Sequence, residues 1–391
     1  MHKLAKRLDH FSDSVIRRMT RIANQYQAIN LSQGFPDFDP PQALIEALKQ
    51  AAQQGPHQYE ITWGSREFRQ LLAKKQQRLM NIEIDPEENI LVTCGSTEAM
   101  MCAVMTICDP KDKVIIFSPF YENYGADAIL SDATPIYVPL KPPTFKFDKQ
   151  ELRQAFEQGA KALILCNPSN PCGKVFTQDE LEYISQLAIE FDAYVITDEV
   201  YEHIVYPPYQ HLYLANFPGM QQRTISCSSL SKTYSITGWR LGYIIADKSI
   251  IDGCKMIHDF LTVGAAAPLQ KAACAGLALT DDYYAQLTQT YMAKRQLFLQ
   301  GLDKIGLNYY PPQGAYYVLV DISPFNPFKT DFEFCEWLIK EVGVAAVPGS
   351  AFFKHPEYRY IRFHFAKQQQ TLIDALERLS KFKEKLLCLK N

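Results

Sequence analysis

The 391-residue sequence is notable first for what it lacks. Its ten cysteines form no C-x-x-C pair and fall mostly inside apolar runs, so neither a disulfide framework nor a zinc site is expected. No uninterrupted apolar run is long enough to cross a bilayer, and "MHKLAKRLDH" has no signal-peptide core, which points to a cytoplasmic protein. Charge of one sign is also missing: a formal net charge of -3 gives no electrostatic reason to expect nucleic acid or an acidic membrane surface as a partner. There is no repeat and no low-complexity tract. No G-x-G-x-x-G follows a strand and no G-x-x-x-x-G-K-[ST] occurs, which disfavours a nicotinamide dehydrogenase and a nucleoside triphosphatase.

What is present is a well-packed globular composition, 47% hydrophobic and 21% charged, at a length that favours two domains. Short β-branched runs alternate with longer helical stretches: "ILVTC" from Ile90, "KVIIFS" from Lys113, "TPIYVPL" from Thr134, "KALILC" from Lys161, "AYVITD" from Ala193, "RTISCS" from Arg223 and "LGYIIA" from Leu241. Several are apolar throughout, the requirement for strands covered on both faces. Thr177 with Glu180 three residues on has the spacing of a capping box. The pattern predicts a mainly parallel sheet with helices on both sides over residues 47–282 and a smaller α+β domain over 283–391. Segment 1–46, with its "NLSQGFPDFDPP", must pack on another part of the chain.

In such a sheet, ligands bind beyond the carboxyl ends of the strands. After "ILVTC" come Gly95, Ser96 and Thr97, either a helix cap or a phosphate cradle. After "KVIIFS" stands Tyr121, able to lie flat on a ring. The turn "NPSNPCGKV" presents asparagines and amides. Asp198 ends the next strand, where a buried carboxylate asks for a cationic partner such as a protonated pyridine nitrogen, and Tyr201 is near enough to reach the same ligand. "SSLSKTYSITGWRLGY" then supplies Ser229, Lys232 and Arg240. A lysine with its pKa lowered by burial or nearby positive charge forms a Schiff base, and an arginine grips phosphate through paired hydrogen bonds. One ligand with an aldehyde, a phosphate, a ring nitrogen and a ring hydroxyl meets all these groups: pyridoxal 5'-phosphate.

Taken in order, "AINLSQGFPDFDPP", "HQYEITWGSREFRQ", "LVTCGSTEAM", "SPFYENY", "NPSNPCGKV", "TDEVYEHI", "SSLSKTYSITGWRLGY", "AVPGSAFF" and "YIRFHFA" span nearly the whole chain. The chain therefore resembles the fold-type I pyridoxal-phosphate enzymes, specifically the class I/II aminotransferases and their methionine and kynurenine/glutamine branch. The resemblance implies a three-layer α/β/α large domain with a mostly parallel mixed sheet, a smaller α+β domain, and a homodimer with active sites at the subunit interface. It implies that Lys232 bonds covalently to the cofactor and then moves a proton, that Asp198 pairs with the pyridine nitrogen, and that Asn170 and Tyr201 bond the ring hydroxyl while Tyr121 stacks on the ring. Ser96, Thr97, Ser229 and Arg240 would hold the phosphate, joined by Tyr59 of the neighbouring subunit. Arg362 would clamp the substrate carboxylate with help from the Gly34 backbone, and Ile16 and Phe352 would line the side-chain pocket. Cys172 stands where the family usually has a hydroxyl residue, a change that leaves the turn and Asn170 intact. His364, two residues past Arg362, reads as structural or pocket-lining. The implied reaction moves the amino group of a neutral, apolar or aromatic L-amino acid, methionine above all, to a 2-oxo acid. A β-lyase acting on cysteine conjugates or cystathionine, and a noncatalytic pyridoxal-phosphate-binding regulator, are the alternatives.

Overall fold

A computed structural model describes residues 4–10, 13–355 and 357–388. Its strands in chain order are β1 (Ile29–Asn30), β2 (Ile90–Thr93), β3 (Lys113–Ser118), β4 (Thr134–Lys141), β5 (Lys146–Phe147), β6 (Ala160–Cys166), β7 (Tyr194–Asp198), β8 (Thr224–Ser229), β9 (Gly242–Ile245), β10 (Asn308–Tyr310), β11 (Tyr317–Asp321), β12 (Val344–Ala345), β13 (Val347–Pro348) and β14 (Tyr360–His364). The large sheet has the order β2-β9-β8-β7-β6-β3-β4-β5. The pairs from β8 through β7, β6 and β3 to β4 are parallel, whereas β9 runs antiparallel to both β2 and β8, and β5 to β4.

The apolar runs explain why this sheet is buried on both sides. Successive residues of a strand face opposite ways, so one run feeds two cores. Ile115, Leu163 and Val195, in register across β3, β6 and β7, pack on one face with Leu152, Leu181 and Leu187. Their neighbours Ile116, Ile164 and Ile196 pack on the other face with Ala99, Ala103 and Ile251. The helix Gln178–Glu190 on the first face opens with the capping box that Thr177 and Glu180 predict. Chain direction matters most for the site. Strands β2, β3, β6, β7 and β8 all point the same way, so residues following each of them meet along one edge of the sheet.

A second sheet, β10-β11-β14-β13, is antiparallel. It shares a core with the 25-residue helix Asp281–Ile305 and with the N-terminal helix Val15–Gln25, which contributes Met19 and Ala23. Pairing of β1 with β12, Ile29 to Val344 and Asn30 to Ala345, fixes the N-terminal segment against this part of the molecule. Among the described residues no helix is long and apolar enough to cross a membrane, and every cysteine is free.

Phe298 lies fully buried at the centre of this second core, its ring 5.9 Å from that of Phe363 and 6.4 Å from that of Phe365. Phe298→Ala is expected to cost about 3–5 kcal/mol of stability, read as a lower urea midpoint for the part of the chain containing β14.

Candidate active site

The common strand edge opens into a cavity of about 400 Å³ between the two sheets and the N-terminal segment. Its wall includes twelve residues singled out from the sequence: Ile16, Gly34, Ser96, Thr97, Tyr121, Asn170, Asp198, Tyr201, Ser229, Lys232, Arg240 and Arg362. They come from eight separate stretches of chain, brought together by the parallel strand ends, the 230–242 segment, β14, the N-terminal helix and the segment after β1.

At the cavity floor, Lys232 donates through Nζ to the Gly34 carbonyl at 3.0 Å. Part of the Lys232 stem meets solvent, yet the amine sits deep in the cavity. Burial, then the Arg240 charge and more weakly Arg362, push its pKa down to about 8 against an opposing pull from Asp198. Asp198 is buried and accepts from the Tyr124 hydroxyl at 2.7 Å and from the Val200 N–H at 3.3 Å. Burial raises its pKa and these donors, with the Lys232 charge, work against that rise. Tyr201 donates to the Tyr317 hydroxyl at 3.0 Å, which aims its ring across the cavity. Its own pKa is far above the phenol range because of burial and the neighbouring tyrosines, so it remains a hydroxyl donor.

The opposite end is built for an anion. Gly95, with φ of 83°, caps the helix Ser96–Ile107 with no side-chain bond, so Ser96 and Thr97 occupy its first turn and neither is the cap. The backbone N–H groups there have no helical partner and face the positive end of the helix dipole. Arg240, itself in the left-handed region at φ 54°, reaches over this turn: a Cβ on Gly95 would stand 2.4 Å from its Nη2. Ser229 Oγ is buried with no partner. A phosphate fits these groups, since it accepts from the amides, the orphaned hydroxyl and the guanidinium together. The amine at Lys232 and the carboxyl at Asp198 match an aldehyde and a ring nitrogen on the same ligand.

Arg362 stands on β14, fully buried. Its Nη1 donates to Asn170 Oδ1 at 2.6 Å and its Nη2 to the Ser32 carbonyl at 3.0 Å, and Nε has no partner. The guanidinium is flanked by the Tyr317 ring at 4.1 Å and the Phe352 ring at 4.4 Å. Phe352 therefore stands behind Arg362, not on the cavity wall, and forms with Ile16 and Val347 a small apolar cluster beside it. Tyr59, 88% exposed, lies outside the cavity of its own chain. His364 is fully buried; its Nδ1 accepts from the Ala366 N–H at 3.3 Å and it does not line the cavity.

Sequence reading missed Tyr124, Tyr317, Ser14, Arg17, Gln33 and Glu122. Tyr124 lies three residues after Tyr121, and Tyr317 belongs to "GAYYVLVDI", a diagonal cross-strand neighbour of Arg362 through the Leu319 to Arg362 register. At the cavity mouth Ser14 donates to Glu122 Oε1 at 2.5 Å and also caps the N-terminal helix, joining it to the turn after β3.

A strand-edge cavity of this kind, with a depressed lysine facing a buried carboxyl and an anion cup, defines a group-transfer enzyme of the fold-type I class. The model of the family described as aminotransferase class I and II matches residues 26–379, and the chain belongs to that family, whose members are generally pyridoxal-phosphate-dependent. It is similar to the methionine aminotransferase of Escherichia coli, 36% identical with 95% of this chain and 97% of that one covered. It is also similar to human kynurenine–oxoglutarate transaminase 1, 33% identical with 98% and 99% covered. The solved structure of N-succinyldiaminopimelate aminotransferase from Mycobacterium tuberculosis superposes with a TM-score of 0.93 at 36% identity, covering 97% of this chain and 99% of that one.

The lowered Lys232 pKa gives a signed pH dependence. Covalent capture of pyridoxal phosphate by the cofactor-free protein is expected to accelerate about tenfold per pH unit below about 8 and to level off above it. Stopped-flow absorbance from pH 6 to 10 reads the midpoint, and Arg240→Met, which removes a repelling charge, moves it upward.

Proposed function

We propose that this aminotransferase uses pyridoxal 5'-phosphate to take the amino group from a neutral, apolar or aromatic L-amino acid and deliver it to a 2-oxo acid in alternating half-reactions. The favoured donor is methionine, giving 4-methylthio-2-oxobutanoate. The observation that carries this reading is the placement of the Lys232 amine, with its pKa near 8, in one cavity with Asp198 and the Arg240 anion cup. When bound, the cofactor supplies an electron sink for the pair of electrons left at the substrate Cα.

The chain's own residues do the rest. Lys232 Nζ, when neutral, accepts the Cα proton and would deliver it, across the intervening nitrogen, to the cofactor carbon that bore the aldehyde, a general acid–base role for which a pKa near working pH is suited. Asp198 as a carboxylate holds positive charge at a ring nitrogen in a dry setting. Asn170 and Tyr201 face the site of the ring hydroxyl and Tyr121 its face, while Ser96, Thr97, Ser229 and Arg240 take the phosphate. Arg362 has an unpartnered Nε and a guanidinium fixed between two rings, and so is ready for the substrate carboxylate with Gly34 beside it. Ile16, backed by Val347 and Phe352, offers the side chain an apolar wall, which supports a neutral donor. The names of the relatives, which span methionine, kynurenine and N-succinyldiaminopimelate, support a donor larger than alanine.

Lys232→Ala is expected to lower transamination by about 100- to 10,000-fold, the usual worth of a positioned acid–base group, and to abolish borohydride-stable attachment of the cofactor. Initial rates over a panel of amino acids check the donor: a clear preference for aspartate, or release of ammonia and pyruvate from cysteine conjugates as the faster reaction, would overturn the reading.

The reading includes a cytoplasmic homodimer, in which Tyr59 of each subunit reaches the phosphate of the other. Supporting it, Tyr59 and Ile61 are exposed on a loop tied to the helix Lys248–Thr262, where Met256, Phe260 and Leu261 are exposed too. Phe260, 91% exposed, is a large ring left in water. Phe260→Asp is expected to shift sedimentation from dimer towards monomer and to weaken cofactor binding with it.

A further inference from the structure

Behind the phosphate-binding turn lies a buried pair that the reaction does not use. His258, on the helix Lys248–Thr262, is fully buried. Its Nδ1 is 2.8 Å from Glu98 Oε1 and its Nε2 is 3.0 Å from the carbonyl oxygen of Thr62. Glu98 also accepts from the Cys94 N–H at 2.5 Å through Oε2 and from the Thr262 hydroxyl at 2.7 Å through Oε1. A carbonyl oxygen can only accept, so Nε2 carries hydrogen, and a carboxylate oxygen can only accept, so Nδ1 does too. Burial alone would raise the Glu98 pKa, but the His258 hydrogen bond and charge, with the Cys94 and Thr262 donors, bring it below its ordinary value. A buried ion pair is tolerable only when its remaining polar atoms are bonded, and here each of them is.

Cys102, one helical turn after Glu98, brings its thiol within 4.8 Å of the other two groups and gives the trio the outline of a metal site. With both imidazole nitrogens donating, however, no lone pair is left for a metal, and burial together with the Glu98 charge keeps the Cys102 thiol protonated. The other charged or titratable groups nearby are Cys94 before the Ser96–Ile107 helix, Arg240 beyond it, Asp127 on the helix Asn123–Leu130, and Cys254, Lys255 and Asp259 on the helix of His258 itself. From the Tyr59 loop the Thr62 carbonyl meets Nε2, the Thr62 hydroxyl donates to Asp259 Oδ1 at 3.3 Å and the Trp63 ring lies under Lys255.

The pair joins two segments that are otherwise held by the Val92 N–H to Trp63 carbonyl bond, at 3.1 Å, between β2 and the Tyr59 loop. Glu98 belongs to the first turn of the helix whose leading residues are Ser96 and Thr97, and Thr62 belongs to the loop that carries Tyr59. We propose that His258, buried and hydrogen-bonded through both ring nitrogens, clamps the Tyr59 loop to the phosphate-binding turn and is a positioning residue for the cofactor's phosphate. The assignment rests on the pyridoxal-phosphate reading above. It gives one buried ring, out of reach of any ligand, a part in shaping the cup that Arg240 closes from outside.

Two variants and two probes test it on the full-length protein. His258→Gln keeps the volume and cannot donate to both acceptors without presenting its own oxygen. Glu98→Gln turns an amide hydrogen towards Nδ1, so Nδ1 accepts, the Nε2 bond to Thr62 survives, and the Thr262 hydroxyl loses Oε1 as its acceptor. With ¹⁵N-labelled histidine, of which the chain has eight, the His258 resonances are assigned by their loss in His258→Gln. They are expected to show hydrogen on both nitrogens, each facing its acceptor, and in Glu98→Gln on Nε2 alone. Affinity for pyridoxal phosphate is expected to fall about tenfold in both variants, the worth of one charge-assisted hydrogen bond. Affinity for pyridoxal, which lacks the phosphate, should be unchanged. A neutral ring in the wild type, unaltered pyridoxal-phosphate affinity in the variants, or equal losses for the two probes would overturn the proposal. Failure of the wild type to bind either probe would instead sink the cofactor reading, and the resonances would still report the ring's charge.

Discussion

The buried guanidinium of Arg362 is the constraint around which the molecule is arranged. A charge removed from water is costly unless its donors find partners, and no carboxylate forms an ion pair with this one among the described residues. It is satisfied from three directions instead: by Asn170 beyond β6 of the large sheet, by the Ser32 carbonyl of the N-terminal segment, and by the rings of Tyr317 and Phe352 from the small sheet and its flanking turn. Displacing any of these parts strands the cation. The same arrangement leaves Nε without a partner, so the site that holds the fold together also has a donor to spare for an anion.

Electrostatics at the other end follows the same logic with a different outcome. Arg362, Arg240 and Lys232 line one cavity, opposed mainly by Asp198 and, at the mouth, Glu122. The most readily titrated of the three cations gives way: the Lys232 amine drops towards neutrality while the guanidiniums stay charged. Two guanidiniums and one amine able to act as a nucleophile thus share the cavity, the division of labour that the proposed transfer on a phosphorylated carrier would use.

Much of this was legible in the sequence because it depends on short runs. Apolar strands such as "KALILC" announce a sheet covered on both faces, and the strand-edge rule then makes the residue after each strand worth inspecting. Asp198, Ser229 and Lys232 were found in that way, since position along one strand decides position in space. Contacts that close across the chain leave no such mark. The Tyr124 to Asp198 bond spans 74 residues, Tyr201 to Tyr317 spans 116, and Glu98 to His258 spans 160. Each is a property of strand order and sheet packing, and no local pattern encodes it. Phe352 shows the complementary limit. The family resemblance implied a place near the substrate, but only the packing beside β14 reveals that its face is spent on the guanidinium.

The bond from Lys232 to the Gly34 carbonyl has a directional side as well. A neutral amine has two hydrogens and one lone pair, set roughly at tetrahedral corners, and rotation about the last carbon–nitrogen bond would otherwise sweep that lone pair through a cone. Committing one hydrogen to a carbonyl fixed in turn by the Tyr316 hydroxyl at 3.0 Å removes most of this freedom. The N-terminal segment then acts as a sight: it selects the direction from which an electrophilic carbon can be met, before any such carbon has arrived.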